Sequence, residues 1–444
     1  MNILLAVHCF FPDHFYGTEA YTLELAKSYK AMGHHVTVLS AVFQGEQSSE
    51  TEIFHYTYDG IPIVCIDRNK RPHSRIKETY FQPELHENLE AILRETAPDL
   101  VHINHLLNHT ATLLDVANKL GIPTYATFTD FFGFCLNNKL EAADGGLCAG
   151  PSPTRNNCVA CHVKAFSADP NAPRWAQRSS DPAVAMKVGS SLVHARQFAP
   201  MMGGPWDSLT GDICDRPDIL VSRYNRTYRA AIAPTRFLLG AYAQNGITVP
   251  MRSVPFGIDI DRRKKSARTI RHVPVIGYIG QMAPHKGLDI LIEAFGRLPR
   301  GSAVLHVWGP MEQHSSFVRK VTALAAGLDV VFRGTFEKAS TARVFDSMDL
   351  LVIPSRWYEN SPLVLLNALA THTPVLVADV LGMTEFVEQE VNGFAFERGS
   401  SDSLYERLKQ VVAREGALEA LSQTTHYPRT TEMMAHDTFA MYGA

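Results

Sequence analysis

Short apolar runs alternate with amphipathic stretches along the first half of the chain. The runs that predict buried strands span residues 3–7, 35–40, 61–66, 100–103 and 124–127. Apolar residues recur with helical spacing at 17–32, 83–95 and 106–120. Strands that alternate with helices in this way predict parallel βαβ units, and such strands are apolar throughout because helices cover both of their faces.

A second series with the same alternation begins near residue 250. Its predicted strands span residues 273–279, 303–307, 330–332, 350–353 and 374–377. We therefore predict an α/β chain of two doubly wound, Rossmann-like domains, 1–249 and 250–444, that face each other across a cleft. The last helix is expected to pack back on the N-terminal domain. In such sheets, ligands bind beside the carboxyl ends of the strands.

Residues from about 135 to 205 interrupt this rhythm and predict an insertion packed on the N-terminal domain. Four of the seven cysteines fall within it, and they are Cys135, Cys148, Cys158 and Cys161. In a reducing compartment, a Cys-x2-Cys pair with two further cysteines indicates a structural zinc site before a disulfide. His162 is the substitute ligand. An iron–sulfur cluster and free thiols or a disulfide remain alternatives.

Composition and charge narrow the classes of function. The 444 residues are 45% hydrophobic and 20% charged, with a net charge of −3. Without interleaved basic and aromatic residues, this balance argues against a nucleic-acid-binding protein built on the cysteines. The apolar opening lacks a basic leader and a cleavage site, and no run of ~18 apolar residues occurs. We therefore expect a cytoplasmic location, either free or at the inner face of the membrane.

A basic stretch follows the predicted strand at 61–66. Its members are Arg68, Lys70, Arg71, Arg75 and Lys77. Two interpretations fit this pattern: a solvated loop, and a peripheral contact with anionic lipid or a lipid-linked phosphate. The stretch by itself does not choose between them.

The clearest chemical signal in the second half lies at residues 354–370. Ser361 at the N-cap and Pro362 at the first helical position predict the start of a helix after a buried strand. The unpaired amides of that start, with Leu363 in the first turn, suit a diphosphate. Glu359 lies just before the helix, where it can reach a sugar hydroxyl.

This segment resembles the Glu-x7-Glu region of glycosyltransferase family 4, whose members share the GT-B fold. Residues 280–295, with Lys286 and Gly287 before a helix, resemble that family's second landmark. Residues 16–20 resemble its glycine loop, although Thr18 stands where many relatives carry a second glycine. The resemblance implies a retaining enzyme that moves a hexosyl group from a UDP- or GDP-sugar to a glycan or lipid-linked acceptor, in cell-surface polysaccharide assembly.

The roles of family residues transfer position by position. Lys286 resembles the catalytic lysine that binds the donor phosphates, and Glu359 the glutamate that contacts the donor sugar. Gly17 resembles the glycine that lets the diphosphate approach closely. Further substrate-binding candidates are Gln281, Ser361, Pro362 and Leu363. Because fixed donors stabilise the leaving diphosphate, catalysis needs no cofactor. The four clustered cysteines resemble an insertion found in a subset of the family.

Two positions depart from the family pattern. Asn367 replaces the second glutamate, which contacts the ribose. Thr129 stands where many relatives carry a histidine, so Asp130 becomes the nearest catalytic candidate. His102 and His105 follow a predicted strand and are candidates for substrate binding, although structural roles also suit them. The departures keep open the alternative of a non-catalytic relative that binds nucleotide sugars.

Overall fold

The computed structural model describes residues 1–168, 181–198, 205–262, 273–313, 315–414 and 416–443. The chain divides into two compact units, Met1–Pro255 with Glu432–Ala444 and Phe256–Thr431. The division falls after Pro255 rather than at residue 249, because a strand at Met251–Ser253 pairs with the first sheet. Within the predicted insertion, residues 169–180 and 199–204 lie outside the described residues.

The first unit is built around a sheet whose described strands number eight. They are β1 (Asn2–Ala6), β2 (His35–Val42), β3 (Ile53–Tyr58), β4 (Ile61–Asp67), β5 (Leu100–Ile103), β6 (Thr124–Thr127), β7 (Tyr228–Ala233) and β8 (Met251–Ser253). Their order across the sheet is β3-β4-β2-β1-β5-β6-β7-β8. Because the order reverses between β1 and β5, the loops after these strands border the crevice in which doubly wound sheets bind ligands.

Strand β3 is the main departure from the strands that the sequence predicts. It pairs antiparallel with β4 at the edge of an otherwise parallel sheet, and its positions alternate between half-buried and exposed. An edge strand with a solvated face carries no continuous apolar run. The pattern that identifies buried parallel strands therefore misses it.

Seven described helices accompany these strands along the chain. They are α1 (Gly17–Ala31), α2 (His86–Thr96), α3 (Thr112–Lys119), α4 (Asn156–Ser167), α5 (Pro182–Phe198), α6 (Pro205–Thr227) and α7 (Arg236–Gln244). Two of them, α4 and α5, pack mainly against each other. Helix α3 is shorter than the predicted stretch 106–120, because Asn108 and Thr110 adopt left-handed backbone conformations with φ of 72° and 58°. Such residues interrupt a right-handed helix. The loop after β5 therefore carries polar side chains in a turn.

The second unit contains a parallel sheet of six described strands. They are β9 (Val275–Ile279), β10 (Val304–Trp308), β11 (Val330–Gly334), β12 (Leu350–Ile353), β13 (Val375–Ala378) and β14 (Gly393–Phe396), in the order β11-β10-β9-β12-β13-β14. The helices beside them are α8 (Leu288–Phe295), α9 (Ser315–Leu324), α10 (Thr341–Asp346), α11 (Leu363–Ala370), α12 (Ser401–Ala413) and α13 (Ala417–Thr424). The strand order reverses between β9 and β12.

The end of the chain belongs to the first unit. After helix α14 (Thr431–Phe439), the hydroxyl of Tyr442 lies 3.0 Å from the Tyr29 hydroxyl and 2.6 Å from His102 Nδ1. The carbonyl of Tyr442 also accepts a hydrogen bond of 3.1 Å from Tyr125. These contacts cover one face of β5 and β6. No helix in the described part of the chain has the length and apolarity needed to cross a membrane.

Candidate active site

The loops after β9 and β12 bring two predicted catalytic residues into contact. Lys286 Nζ donates a hydrogen bond of 2.7 Å to Glu359 Oε1. Gly287 follows Lys286 with a left-handed φ of 71°, and a Cβ at this position would lie 1.9 Å from the carbonyl oxygen of Pro354. Glycine is therefore required for the lysine loop to approach the end of β12. The pair lies where the strand order reverses, which is the expected position of a ligand site.

The carboxylate of Glu359 receives all of its described hydrogen bonds on one oxygen. Besides Lys286, Ser355 Oγ donates to Oε1 at 2.8 Å and Trp357 Nε1 at 3.1 Å. Burial on its own would raise the pKa of Glu359, but the Lys286 ammonium and these hydrogen bonds hold it below its usual value. Glu359 is therefore a carboxylate at neutral pH.

A second ionic contact joins the same two loops. The buried carboxylate of Asp289, in the first turn of α8, lies 2.9 Å from Arg356 Nη1 and 2.8 Å from Lys320 Nζ. The backbone amide of Arg356 also donates to the carbonyl of His285 at 2.8 Å. The positions of Lys286 and Glu359 are thus fixed relative to each other by contacts outside the pair.

The start of helix α11 differs from the prediction in one respect. Pro362 occupies the N-cap and the helix begins at Leu363, whereas Ser361 has a left-handed φ of 61° and makes no cap. Ser361 Oγ and Asn360 Oδ1 are buried and lack a hydrogen-bond partner among the described residues. Ser361 makes no cap because its left-handed backbone turns the chain before Pro362. The helix therefore begins one residue later than predicted. The first-turn amides and these buried oxygens all lie beside Glu359 in sequence.

Two further candidates in the second unit have half-buried side chains. Gln281 follows β9, and its carbonyl accepts a hydrogen bond of 2.7 Å from the Tyr278 hydroxyl. Asn367 lies in the second turn of α11, and no hydrogen bond of its side-chain amide occurs within the described ranges. Both therefore border the same switch point as Lys286, and their side chains remain available to a ligand.

In the first unit, the loops after β5 and β6 bring together two of the predicted residues. His105 Nε2 lies 2.9 Å from Asp130 Oδ2, and Asp130 Oδ1 accepts a hydrogen bond of 2.8 Å from the amide of Phe132. The other ring nitrogen of His105 accepts from the amide of Leu107 at 3.1 Å. Both nitrogens of His105 are thus occupied, so it holds Asp130 in place rather than binding substrate itself.

His102 is a correction to the predicted substrate-binding residues. It is fully buried, with Nδ1 against the Tyr442 hydroxyl and Nε2 2.7 Å from Thr127 Oγ1. Burial lowers the pKa of His102 to about 3, so the ring is neutral. The returning C-terminal segment closes this histidine off from ligands, and its role is structural.

Gly17 opens helix α1, and no protein atom lies within 4 Å of the position that a Cβ would occupy there. The next residue, Thr18, donates a hydrogen bond of 3.2 Å to Thr129 Oγ1. The two positions at which this part of the chain departs from the family pattern therefore contact each other. The space beside Gly17 is left open by the protein's own packing.

A polar cluster next to this loop was not identified from the sequence. Glu19, buried in the first turn of α1, accepts a hydrogen bond of 3.0 Å from Cys9 Sγ, and its Oε1 lies 3.1 Å from His8 Nε2. The ring of His8 lies 4.3 Å from that of His105. The ligand atoms of His8, Cys9 and Glu19 lie within 4.8 Å of one another, an arrangement that could hold a metal ion. The sequence signal that could have identified this cluster is Glu19, a charged residue at a position that the helical pattern of α1 buries.

The four predicted metal ligands line one cavity. The thiol of Cys135 donates a hydrogen bond of 2.8 Å to Asn137 Oδ1, and the amide of Gly150 donates to Cys148 Sγ at 3.4 Å. Burial raises the pKa of Cys135, and it raises the pKa of Cys158 and Cys161 to about 12, so without a bound cation these three residues are thiols. No three of the sulfurs lie within 4.8 Å of one another, so metal binding would require the cluster to contract. His162 does not line this cavity.

The arginines of the predicted basic stretch are engaged within the first unit. Arg71 pairs with Glu52 and Arg75 with Asp212, each at 2.7 Å. The guanidinium of Arg68 is buried and donates to the side chain of Gln82. Lys70 is exposed. The arginines therefore contribute little free charge to a membrane-facing surface.

Comparison with known protein families gives two matches. The model described as Glycosyltransferase Family 4 matches residues 15–139, within the first unit. The model described as Glycosyl transferases group 1 matches residues 259–426, within the second unit. The two matches account for different units and leave residues 140–258 between them.

Curated relatives match over shorter stretches. An uncharacterized glycosyltransferase of Methanocaldococcus jannaschii is 31% identical over 146 residues, which cover 33% of this chain and 37% of the relative. A D-inositol 3-phosphate glycosyltransferase of Mycolicibacterium smegmatis is 28% identical over 182 residues, which cover 38% of this chain and 42% of the relative. The matched stretches thus span about two fifths of these relatives.

Solved structures match over the whole chain. HepE of Anabaena, in complex with UDP and glucose, has a TM-score of 0.63 at 16% identity, with 100% of both chains covered. WaaG, a glycosyltransferase involved in lipopolysaccharide biosynthesis, has a TM-score of 0.58 at 16% identity, again with 100% of both chains covered. At these identities the likeness concerns the fold. The chain has the GT-B fold that the sequence predicts.

Proposed function

We propose that this GT-B chain, which carries a family 4 match in its first unit and a group 1 match in its second, is a retaining glycosyltransferase. It transfers a hexosyl group from a nucleotide sugar to a glycan or lipid-linked acceptor. The contact between Lys286 and Glu359 at the β9–β12 switch point carries this proposal. It joins a cation suited to a diphosphate and a carboxylate suited to sugar hydroxyls within one site.

The donor is a UDP-sugar in the first instance, with a GDP-sugar as the other candidate. Solved structures of HepE contain UDP and UDP-glucose, which supports the uridine nucleotide. Lys286, the first-turn amides of α11 and the buried hydroxyl of Ser361 are the groups that would hold the diphosphate. Gln281 and Asn367 are the side chains nearest to them that remain open to the rest of the donor.

The chemical step needs stabilisation of charge more than covalent catalysis. As the bond from the anomeric carbon to the β-phosphate oxygen breaks, negative charge grows on the diphosphate, and Lys286 with the fixed amides stabilises it. Glu359 holds the donor sugar through its hydroxyls. Asp130 orients the acceptor by accepting a hydrogen bond from another of its hydroxyls. The oxygen of the attacking hydroxyl bonds to the anomeric carbon while its proton passes to the leaving phosphate. Attack on the face that the diphosphate leaves gives retention.

The acceptor belongs to cell-surface glycan assembly in this proposal. WaaG and the galactosyltransferase WaaB are named for lipopolysaccharide synthesis, and several curated relatives are named for D-inositol 3-phosphate. These names support an acceptor that is a sugar, a polyol or a polyol phosphate, one of whose hydroxyls attacks the donor. A peripheral membrane contact draws little support, because the arginines of the basic stretch are paired inside the first unit.

A panel of UDP-, GDP- and ADP-sugars tests this function. A true donor raises the melting temperature by mass action and is slowly hydrolysed without an acceptor. Stabilisation without any hydrolysis would favour the non-catalytic alternative, to which the departures at Thr129 and Asn367 point. If no member of the panel stabilises the protein, the donor site itself is wrongly assigned.

A structural zinc ion in the cysteine cavity is a separate proposal. Cys135, Cys148, Cys158 and Cys161 surround one cavity, and the amide of Gly150 donates to Cys148 Sγ. Four thiolates form the closed tetrahedral site that zinc prefers, and such a site contributes its binding energy to folding. With this ion the chain would match the subset of the family that carries the four-cysteine insertion.

A further inference from the structure

We propose that Ser355 and Trp357 are positioning residues that orient the Glu359 carboxylate toward the donor sugar. The proposal rests on the function proposed above and extends it to two residues that the sequence did not single out. Neither residue needs to touch the substrate. Their effect is exerted through Glu359, on which both of their polar groups converge.

The hydrogen bonds of Glu359 are strongly asymmetric. Oε1 receives an ammonium at 2.7 Å, a hydroxyl at 2.8 Å and an indole N–H at 3.1 Å. In the described part of the chain, no side chain or amide donates to Oε2. A carboxylate oxygen has about two lone-pair positions, so Oε1 has no capacity for another donor. The orientation is therefore fixed, and Oε2 is the oxygen left for a sugar hydroxyl.

Ser355 and Trp357 differ from Lys286 in what happens when the donor binds. The diphosphate is a stronger partner for the ammonium of Lys286 than a single carboxylate is, because it carries more charge. When Lys286 turns to the diphosphate, Oε1 keeps its bonds from the hydroxyl and the indole. Without them, a buried carboxylate would lose every donor, which is costly. The two residues thus allow Lys286 to change partner while Glu359 stays in place.

The surroundings of both side chains favour this role. Ser355 is fully buried, so its hydroxyl has no access to bulk water in place of Glu359. The indole of Trp357 lies 3.6 Å from the His285 ring and 5.2 Å from Lys286 Nζ, measured between or to ring centroids. Trp357 therefore contacts the lysine loop and the glutamate at once. The Trp357→Phe variant keeps an aromatic ring there but removes the N–H together with part of the ring, whereas Ser355→Ala removes only a hydroxyl.

The test compares binding of UDP with turnover of UDP-glucose in the full-length chain. Ser355→Ala and Trp357→Phe should bind UDP within threefold of the wild type, because UDP lacks the hexosyl group that Glu359 is proposed to contact. Both should lower kcat/KM for UDP-glucose hydrolysis at least tenfold, and Ser355→Thr, which keeps the hydroxyl, should recover most of it. The acidic limb of the pH–rate profile of both variants should move to higher pH, because Glu359 loses donors that favour its charged form.

The outcomes separate the two levels of the proposal. If the wild type binds UDP but neither binds nor hydrolyses UDP-glucose, the proposal that UDP-glucose is a donor is wrong, whatever the variants do. If the wild type hydrolyses UDP-glucose and both variants match it within threefold, the positioning role is wrong. Equal losses of UDP binding and hydrolysis, with an unchanged pH profile, would instead mean that Ser355 and Trp357 only maintain the fold, and would also overturn the proposal.

Discussion

The two units each carry polar residues where their strand order reverses, but they do so with different chemistry. In the second unit, Lys286 and Glu359 form an ion pair whose loops are tied together by further ionic contacts. In the first, one partly exposed carboxylate, Asp130, is held by His105 and a backbone amide. A departing diphosphate requires fixed positive charge, whereas an acceptor hydroxyl requires only an oriented carboxylate. The difference matches the division of roles proposed for the two units.

Glycines sharpen the same contrast. Gly287 and Gly382 are enclosed, since a Cβ at either would overlap the carbonyl oxygen of Pro354 or of Glu359. Gly17 of the first unit has no neighbour within 4 Å of that position. Two glycines in the second unit therefore serve the close approach of its own loops. Gly17 instead leaves open space beside the start of α1.

The largest effect is expected for Gly287→Ala. Its Cβ would overlap Pro354 and strain a left-handed residue, at a cost of several kcal/mol. Donor binding and hydrolysis should disappear, and the melting temperature should fall. Gly17→Ala is the matched control and should fold normally, with weakened turnover of the donor. Equal thermal stability and equal nucleotide binding in the two variants would contradict the contrast drawn between the units.

Lys286→Ala should slow sugar transfer on the order of a hundredfold, because loss of such an electrostatic contact costs ~3 kcal/mol in the transition state. Donor hydrolysis should fall in parallel. Asp130→Asn should slow transfer to the acceptor more than it slows hydrolysis of the donor. Steady-state rates with and without acceptor measure both effects. A Lys286→Ala enzyme within threefold of wild type would remove the lysine from the mechanism.

Loss of the cysteine site should affect the first unit and spare the donor site. Cys158→Ser with Cys161→Ser is expected to lower the melting temperature by about 5 °C, the size of a change of 1–2 kcal/mol. UDP binding by the remaining folded protein should be unchanged. Elemental analysis should find one equivalent of zinc in the wild type, and the protein should be colourless, unlike a protein with an iron–sulfur cluster. Less than about half an equivalent of zinc or iron, with four freely titratable thiols, would leave these cysteines as ordinary loop residues.

Acid should destabilise the first unit before the second. Burial lowers the pKa of His102 to about 3 and of His109 to about 4, against about 6.5 in the unfolded chain. Below pH 6.5 the unfolded state binds more protons, so stability falls as the pH drops, by about 2 kcal/mol per histidine at pH 5. Melting at pH 7.5 and pH 5 tests this, and His102→Gln should reduce the difference. In the second unit, the lowered pKa of Glu359 contributes stability that is lost only as the pH falls below about 4.5.

The smallest effect is expected for Asn367→Glu. The side chain is half-buried on α11 and makes no hydrogen bond within the described residues, so a carboxylate fits there without displacing a partner. Charge-assisted bonds to ribose hydroxyls are stronger than those of an amide. Nucleotide affinity should rise by a few fold while transfer continues. Inactivation by this substitution would reverse the proposed importance of Glu359 and Asn367.

Much of the donor site could be predicted because its signals are local. The apolar runs that form β9 and β12 are continuous, and the residues that follow each run must lie at the same edge of a parallel sheet. Lys286 and Glu359 were therefore predictable as neighbours. Their direct ion pair was not, and neither were the contacts of Ser355 and Trp357, because side-chain directions depend on how two loops pack.

The first unit shows the opposite limit. His102 lies inside the predicted strand at 100–103 and His105 two residues beyond it, yet the sequence-based prediction treats both as candidates for substrate binding. In the structure, His105 holds Asp130, whereas His102 is covered by Tyr442, a residue 340 positions away. Contacts of that separation are set by the path of the whole chain.

By itself, the sequence determined most of the buried parallel strands, the doubly wound class and the loops that carry the candidate residues, since hydrophobic periodicity and backbone conformation act over a few residues. Only the tertiary structure decided which of these residues meet. It pairs Lys286 with Glu359, encloses His102 and links Glu19 to His8, because burial and hydrogen bonding between distant segments depend on packing that no local pattern encodes.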